Sequence, residues 1–158
     1  MAARRRGSRP EAVRASALVL ADAAQRVGAD VDVTVVELAA LLHDAGYRHA
    51  PADRTRERHS ADLAVELLTG HGYGSPTVDA VVGCILATEH DAVARTVEQK
   101  LVRAADLAQM AGPFKVFAAN ADALRRECEL LTGQPVPPGQ WPGRVQAVIE
   151  DYLRRDFS

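Results

Sequence analysis

The chain has 158 residues, enough for one domain with a single hydrophobic core. Its 47% hydrophobic and 25% charged residues are typical of a globular protein and argue against a disordered or fibrous chain. The formal net charge of −2 argues against a protein that binds a nucleic-acid polymer through bulk electrostatics. Only 4% of the residues are aromatic, so we expect a core of Ala, Val and Leu in closely packed helices.

Apolar runs and cysteines indicate the compartment. No apolar run is long enough for a membrane span, and the N-terminus lacks the apolar stretch of a secretory signal. Cys84 and Cys128 lie far apart, lack the spacing of a zinc motif and fall inside helical patterns. Buried free thiols in a reducing compartment are therefore expected. The sequence predicts a cytoplasmic protein with no membrane partner.

Helical periodicity begins at Ser8, and Gly28 ends the first predicted helix. The apolar stripe of this helix repeats every three or four residues and comprises Val13, Ala17, Leu20, Ala24 and Val27. Thr34 and Glu37 have the spacing of a capping box and predict the start of a second, strongly apolar helix. That helix is expected to end near Gly46.

A polar, arginine-rich connection over residues 48–58 separates the second helix from the third. The third predicted helix carries apolar residues from Leu63 to Leu68 and ends at Gly70. Ser75 and Pro76 are typical of the cap and first turn of a fourth helix. The apolar face of the fourth helix comprises Val78, Val81, Val82, Ile85 and Leu86.

A fifth helix is predicted from Val97 to Ala105, before the break at Gly112. Phe114, Phe117, Ala121 and Leu124 indicate a sixth, and Val145, Val148, Ile149 and Tyr152 indicate a last one. The proline-rich and glycine-rich segment 134–143 between them predicts a linker. No strand alternation is visible, so the sequence predicts an all-α protein.

The expected architecture is a single-domain helical bundle of six to seven helices. Residues 1–7, which contain a short arginine run, predict a disordered basic tail. Residues 8–112 are expected to form a metal-binding helical core, and residues 113–158 to pack on it within the same domain. These C-terminal helices could also support a homodimer.

Histidines and aspartates occur where the helical patterns predict buried or half-buried faces. The apolar second helix ends in His43 and Asp44, and burying either without a partner would be costly. His59 lies at the start of the third helix, His90 continues the spacing of the fourth helix's apolar face, and Asp106 borders that of the fifth. Imidazole and carboxylate groups from separate helices predict a site for one or two divalent transition-metal ions, Mn, Fe, Co, Ni or Zn.

These segments resemble the HD-domain superfamily of metal-dependent phosphohydrolases. Residues 39–46 are similar to the segment with the family's His-Asp pair, and residues 100–107 to the helix with its late aspartate. Residues 59–64 and 87–90 resemble the two intermediate histidine segments of members with a fuller metal site. The resemblance covers about residues 8–112. It implies that His43, Asp44, His59, His90 and Asp106 are metal ligands.

One position departs from the family pattern. The family's first histidine lies early in helix one, where this chain has no histidine. Glu11 lies nearest to that position and could be an extra ligand, although its spacing from Ser8 also fits a capping box. Tyr47 stands where many relatives carry a lysine, so the phosphate contact of that lysine does not transfer to this chain.

Three basic residues are candidates for contacting a substrate phosphate. Arg103 precedes Asp106 by one helical turn, and Lys100 lies about one turn further back. Arg58 belongs to the connection whose arginines could line an anion-binding lip, namely Arg48, Arg54, Arg56 and Arg58. A charge-rich run is more often a solvated loop, and that interpretation fits most of these four.

The resemblance implies hydrolysis of a phosphate ester or anhydride in a small phosphorylated molecule, with a nucleotide as the expected class. Asp44 would be catalytic, orienting a metal-activated water. Two alternatives remain open. A degenerate HD-domain protein would bind a ligand or partner without turnover, which the missing first histidine favours. A diiron oxygenase-like HD protein would need the full ligand set, which the same absence opposes.

Overall fold

A computed structural model describes residues 9–47 and 50–108, together with part of the C-terminal region. The described C-terminal residues are 122, 125–126, 129–130, 133–137, 139–141, 143 and 147. The chain divides into two compact units, Met1–Ala108 and Gln109–Ser158. The expectation that residues 113–158 pack on the core in one domain stays a prediction.

Five α-helices make up the described part of the first unit. They are α1 (Arg9–Arg26), α2 (Val33–Leu42), α3 (Arg56–Gly70), α4 (Ser75–Leu86) and α5 (Val97–Leu107). Within the described residues there is no strand, so the predicted all-α class is confirmed. None of the helices in this described part is long and apolar enough to cross a membrane.

Helix α2 is the centre of the packing, because it contacts each of the other four helices. Its buried residues are Val35, Val36, Ala39 and Ala40. Small side chains dominate the faces that meet it, which lets the helices approach closely. The core of the described residues is mainly Ala and Val, as predicted, whereas of the predicted leucines Leu68 is buried and Leu20, Leu38, Leu42, Leu86 and Leu101 are only partly buried against it. The C-terminal end of α2 lies in the interior of the unit, where His43 is buried.

Helix α1 follows its predicted stripe for most of its length. Val13, Ala17 and Ala21 are fully buried, and Gly28 ends the segment in a left-handed conformation with φ of 86°. Val27 was predicted to belong to the stripe and does not, since it lies beyond the helix and is 85% exposed.

Two predicted helix caps are wrong. Asp32, not Thr34, caps α2, because its extended backbone lets its carboxylate accept from the Val35 N–H at 3.1 Å. Glu37 is not part of a capping box and instead forms an ion pair with Arg14 on α1. Helix α4 is capped by the backbone of Gly74, not by the Ser75 side chain.

The end of α4 also differs from the prediction. The helix stops at Leu86, where the Thr88 hydroxyl donates to the Ile85 carbonyl at 2.7 Å and helps close the last turn. His90 therefore does not continue the apolar face of α4, and it is exposed. The predicted placement of His90 on that face is wrong, because the chain leaves the helix four residues earlier.

In the second unit, the residues that indicated the sixth and last helices lie outside the described part of the chain. Gln134–Pro137 has no regular structure, as predicted for the linker, whereas Trp141 and Gly143 already have helical backbone. Arg125 pairs with Asp122 and Glu129 in this unit.

Candidate metal centre

His43 is held at the C-terminal end of α2 by two hydrogen bonds. Its backbone N–H donates to the Ala39 carbonyl at 2.9 Å, and its ring Nδ1 lies 2.8 Å from the Ala40 carbonyl oxygen. A carbonyl can only accept, so Nδ1 carries a proton and the neutral ring presents its lone pair at Nε2. The side chain is 1% exposed. The helix end thus fixes both the orientation and the tautomer of the imidazole.

Two carboxylates face this Nε2 atom. Asp44 Oδ2 lies 3.3 Å from it, and Asp106 Oδ1, from α5, lies 3.4 Å from it. Both aspartate side chains keep about a fifth of their surface exposed, 20% and 22%, so the group lies at the edge of the core. Among the described residues, Nε2 of His43 is buried without a hydrogen-bond partner. The structure therefore brings together the three residues on which the sequence argument relied most.

Three acceptor atoms facing one another repel unless a positive charge lies among them. Burial disfavours the charged imidazolium, but the nearby carboxylates of Asp106 and Asp44 outweigh burial and raise the pKa of His43 to about 10. A proton can thus supply the charge. A metal ion can supply it as well, in competition with that proton.

The distances also suit a common cation. Nitrogen and oxygen ligands lie about 2.0–2.2 Å from a tetrahedral zinc-type ion, which places two such ligands roughly 3.4 Å apart. The separations of 3.3 and 3.4 Å between Nε2 and the two carboxylate oxygens agree with this value. The donor set of one imidazole and two carboxylates fits a divalent transition metal. The donor types and these two distances therefore suit the ion that the sequence predicts.

A metal ion at His43 should displace the proton that the carboxylates otherwise hold there. Because the pKa of His43 is raised to about 10, we expect release of about one proton per Mn²⁺ bound near neutral pH. Affinity should rise with pH until the ring is neutral without the ion. Calorimetric titration with Mn²⁺ in two buffers of different ionisation enthalpy measures this release. An equal release by the H43Q variant would contradict the assignment.

Ser60 and Gly46 fix the turn that carries Asp44. The buried Ser60 hydroxyl accepts from the Gly46 N–H at 2.9 Å, tying the turn after α2 to α3. The turn lies against α3 so closely that a Cβ at Gly46 would stand 2.7 Å from the Ser60 nitrogen and 2.8 Å from the His59 carbonyl carbon. Only glycine fits this contact, and the contact sets the position of the His-Asp pair.

Arg103 has a structural role that the sequence did not predict. It is buried on α5, 3% exposed, and its Nη1 donates to the carbonyls of Ala87, Glu89 and Ala92 at 2.7, 3.2 and 2.8 Å. One guanidinium thus holds the connection between α4 and α5. A phosphate contact by Arg103 would have to use its other nitrogens, and that role stays a prediction.

The other three predicted ligands lie on α3, on the connection between α4 and α5, and on α1. His59 packs beside Gly46, His90 is exposed on the connection that Arg103 holds, and Glu11 is exposed in the first turn of α1. Within the described residues, no three His, Cys, Asp or Glu side chains form a complete metal-binding group as placed, His43, Asp44 and Asp106 included. Ligation by His59, His90 and Glu11 therefore stays a prediction.

The candidate phosphate contacts lie on two different helices. Lys100 is exposed on α5. Arg58, in the first turn of α3, places its Nε 3.4 Å from Glu89 Oε1, and the Thr55 hydroxyl donates to the same oxygen at 2.6 Å. Arg58 is thus already paired with a carboxylate, and its phosphate contact stays a prediction.

Glu57 lies close to the centre and was missed by the sequence analysis, which assigned it to the solvated connection. Burial raises the pKa of this half-buried carboxyl, and the charges of Glu89 and Asp44 raise it further, against the lowering effects of its own backbone N–H and of Arg56. The available signal was its place two residues before His59. The first turn of α3 therefore shares an electrostatic environment with Asp44.

Tyr47 and Arg56 make a cation–π contact next to the turn of the centre. The Tyr47 N–H donates to the Asp44 carbonyl at 3.1 Å, which places the tyrosine in the same turn as the His-Asp pair. The Arg56 guanidinium carbon lies over the Tyr47 ring, 4.3 Å from its centroid. The start of α3 is thus joined to the turn by an aromatic contact as well as by Ser60.

Comparison with known proteins agrees with this geometry. A family model described as the HD domain matches residues 11–111, well over half of the chain. No curated protein and no solved structure matches the chain at a significant level. The matched range contains α2 to α5 and all of α1 except its first two residues, and with them His43, Asp44 and Asp106. The chain belongs to the HD-domain family.

Proposed function

We propose that the protein is a metal-dependent phosphohydrolase that acts on a small phosphorylated molecule, with a nucleotide as the expected class. The observation that carries the proposal is the buried Nε2 of His43, which faces the carboxylates of Asp44 and Asp106 at 3.3 and 3.4 Å and has no hydrogen-bond partner among the described residues. The family resemblance to metal-dependent phosphohydrolases supports the reaction class.

A divalent ion bound by His43, Asp44 and Asp106 would act as a Lewis acid on the phosphoryl group and lower the pKa of a bound water. His43 is oriented for binding by the Ala40 carbonyl, so it needs no rearrangement. Asp44 and Asp106 keep part of their surface exposed and can reach substrate-side water as well as the ion. Asp44 would orient the attacking water and accept its proton.

A screen of purified protein tests this function. Elemental analysis should find a transition metal, and phosphate release from nucleoside mono-, di- and triphosphates should be measured with Mn, Co, Ni or Fe added. We expect hydrolysis that depends on the ion and that a chelator abolishes. Activity that persists in chelator would overturn the metal mechanism.

A degenerate member that binds a ligand without turnover is the second candidate. The observation that favours it is the incomplete ligand group within the described residues, together with the exposed Glu11 in the helix where the family has its first histidine. Purified protein without metal and without affinity for Mn²⁺ or Zn²⁺ would fit this candidate and exclude the first.

A further inference from the structure

The arginines beside the candidate metal centre differ in what they already bind. Arg54 forms an ion pair with Asp62, and Arg58 pairs with Glu89. The Nη1 of Arg103 donates hydrogen bonds to three backbone carbonyls. Within the described part of the chain, Arg56 contacts no carboxylate at ion-pair distance, and its contact is with the Tyr47 ring. Its charge acts on the neighbouring Glu57 but, among the described residues, forms no ion pair.

Arg56 is nevertheless held in place. It is half-buried and its guanidinium lies over the Tyr47 ring, which belongs to the turn of Asp44. Lys100, another basic side chain without an ion pair in the described residues, is exposed on α5 and has no such support. An immobilised cation loses less conformational entropy when it binds an anion. Arg56 is therefore better ordered than Lys100 for binding an anion.

The aromatic contact leaves the donors of Arg56 available. A guanidinium carries several N–H donors in its own plane, so contact with one aromatic ring leaves donors for hydrogen bonding. Those donors match the oxygen spacing of a phosphate and can bind it through two hydrogen bonds at once.

The negative charge of the surrounding side chains also favours a cation at this position. Three carboxylates lie near the start of α3 and the turn before it, because Asp44 faces His43, Glu57 lies in the first turn of α3, and Glu89 accepts a hydrogen bond from Thr55, the N-cap of α3. A cation outside the existing ion pairs would reduce their repulsion of an anionic substrate, in addition to the bound metal ion.

We propose that Arg56, positioned by Tyr47, is the phosphate-binding residue of this site. The inference rests on the proposed phosphohydrolase function and deepens it by naming the side chain that recognises the substrate's phosphate.

Binding of inorganic phosphate to Mn²⁺-loaded protein, measured by calorimetry, tests the proposal without turnover. Loss of charge-assisted hydrogen bonds in R56Q should weaken phosphate binding by about 10-fold to 100-fold. R56K should lie between R56Q and the wild type, because it keeps the charge and loses the planar donors. Y47L should weaken binding by a few-fold, roughly the value of one cation–π contact, while Y47F should not.

R54Q is the matched control, because it removes one arginine charge from the same connection but from a residue paired with Asp62. It should bind phosphate within about twofold of the wild type. Equal phosphate affinity of R56Q and the wild type would overturn the role of Arg56 and leave the proposed function standing. Wild-type protein that takes up Mn²⁺ but binds no phosphate would overturn both.

Discussion

Replacing Asp44 with asparagine should remove metal binding and hydrolysis together. The substitution keeps the shape of the side chain but removes one of the two negative charges that face His43 Nε2. An ion that stabilises transition-state charge is worth several kcal/mol, so kcat should fall by about 1000-fold. Metal content after dialysis and phosphate release under saturating Mn²⁺ measure the two effects separately.

D79N serves as the control for this substitution. Asp79 is an exposed carboxylate on α4, so the variant loses the same charge from the surface of the fold. It should keep both metal and activity. Full activity in D44N would contradict the catalytic role of Asp44, whereas retained metal with lost activity would assign Asp44 to orienting water and leave ion binding to other ligands.

Replacing Gly46 with alanine should destabilise the fold more than any other single added methyl group at the glycines of α1 to α5 and their connections. The new Cβ would stand 2.7 Å from the Ser60 nitrogen and 2.8 Å from the His59 carbonyl carbon, and backbone atoms cannot move aside as a flexible side chain can. We expect a loss of about 3 kcal/mol in the free energy of unfolding. The melting temperature should fall by about 10 °C.

G70A is the matched variant, because a Cβ at the last residue of α3 meets no atom within 4 Å. It should be as stable as the wild type or slightly more stable, since alanine is the better helix former. Thermal unfolding followed by circular dichroism compares the two. If both variants melt at the wild-type temperature, the close approach of the turn to α3 is not a constraint on the fold.

Hydrophobic periodicity was sufficient to predict α1 to α5, because a buried stripe on each helix leaves a three-or-four repeat in the sequence. Helix caps were not predictable in the same way. Asp32 and Thr34 are both good capping residues two positions apart, and the choice depends on which backbone is extended in the folded chain. The His90 placement failed because the spacing alone did not reveal the early end of α4.

Ligand-type residues on the buried faces of separate helices predicted a shared site, but the specific pairing of His43 with Asp106 followed from the family resemblance, because the two residues lie far apart in the sequence. Periodicity placed each near a buried face but not near the other. Arg103 shows that a correctly predicted position does not reveal a side chain's hydrogen-bond partners. Its position predicted proximity to Asp106, yet nothing in the sequence indicated that three carbonyls from another segment would surround its guanidinium.

The connection between α4 and α5 is anchored through main-chain oxygens, and every amino acid has one. Side chains at positions 90 and 92 can therefore vary while Arg103 keeps the loop in shape. In this segment, the path of the backbone therefore does not depend on which side chains it carries. Natural or laboratory substitutions in this segment could therefore change the side chains that border the site without changing the backbone that carries them, provided that Arg103 is kept.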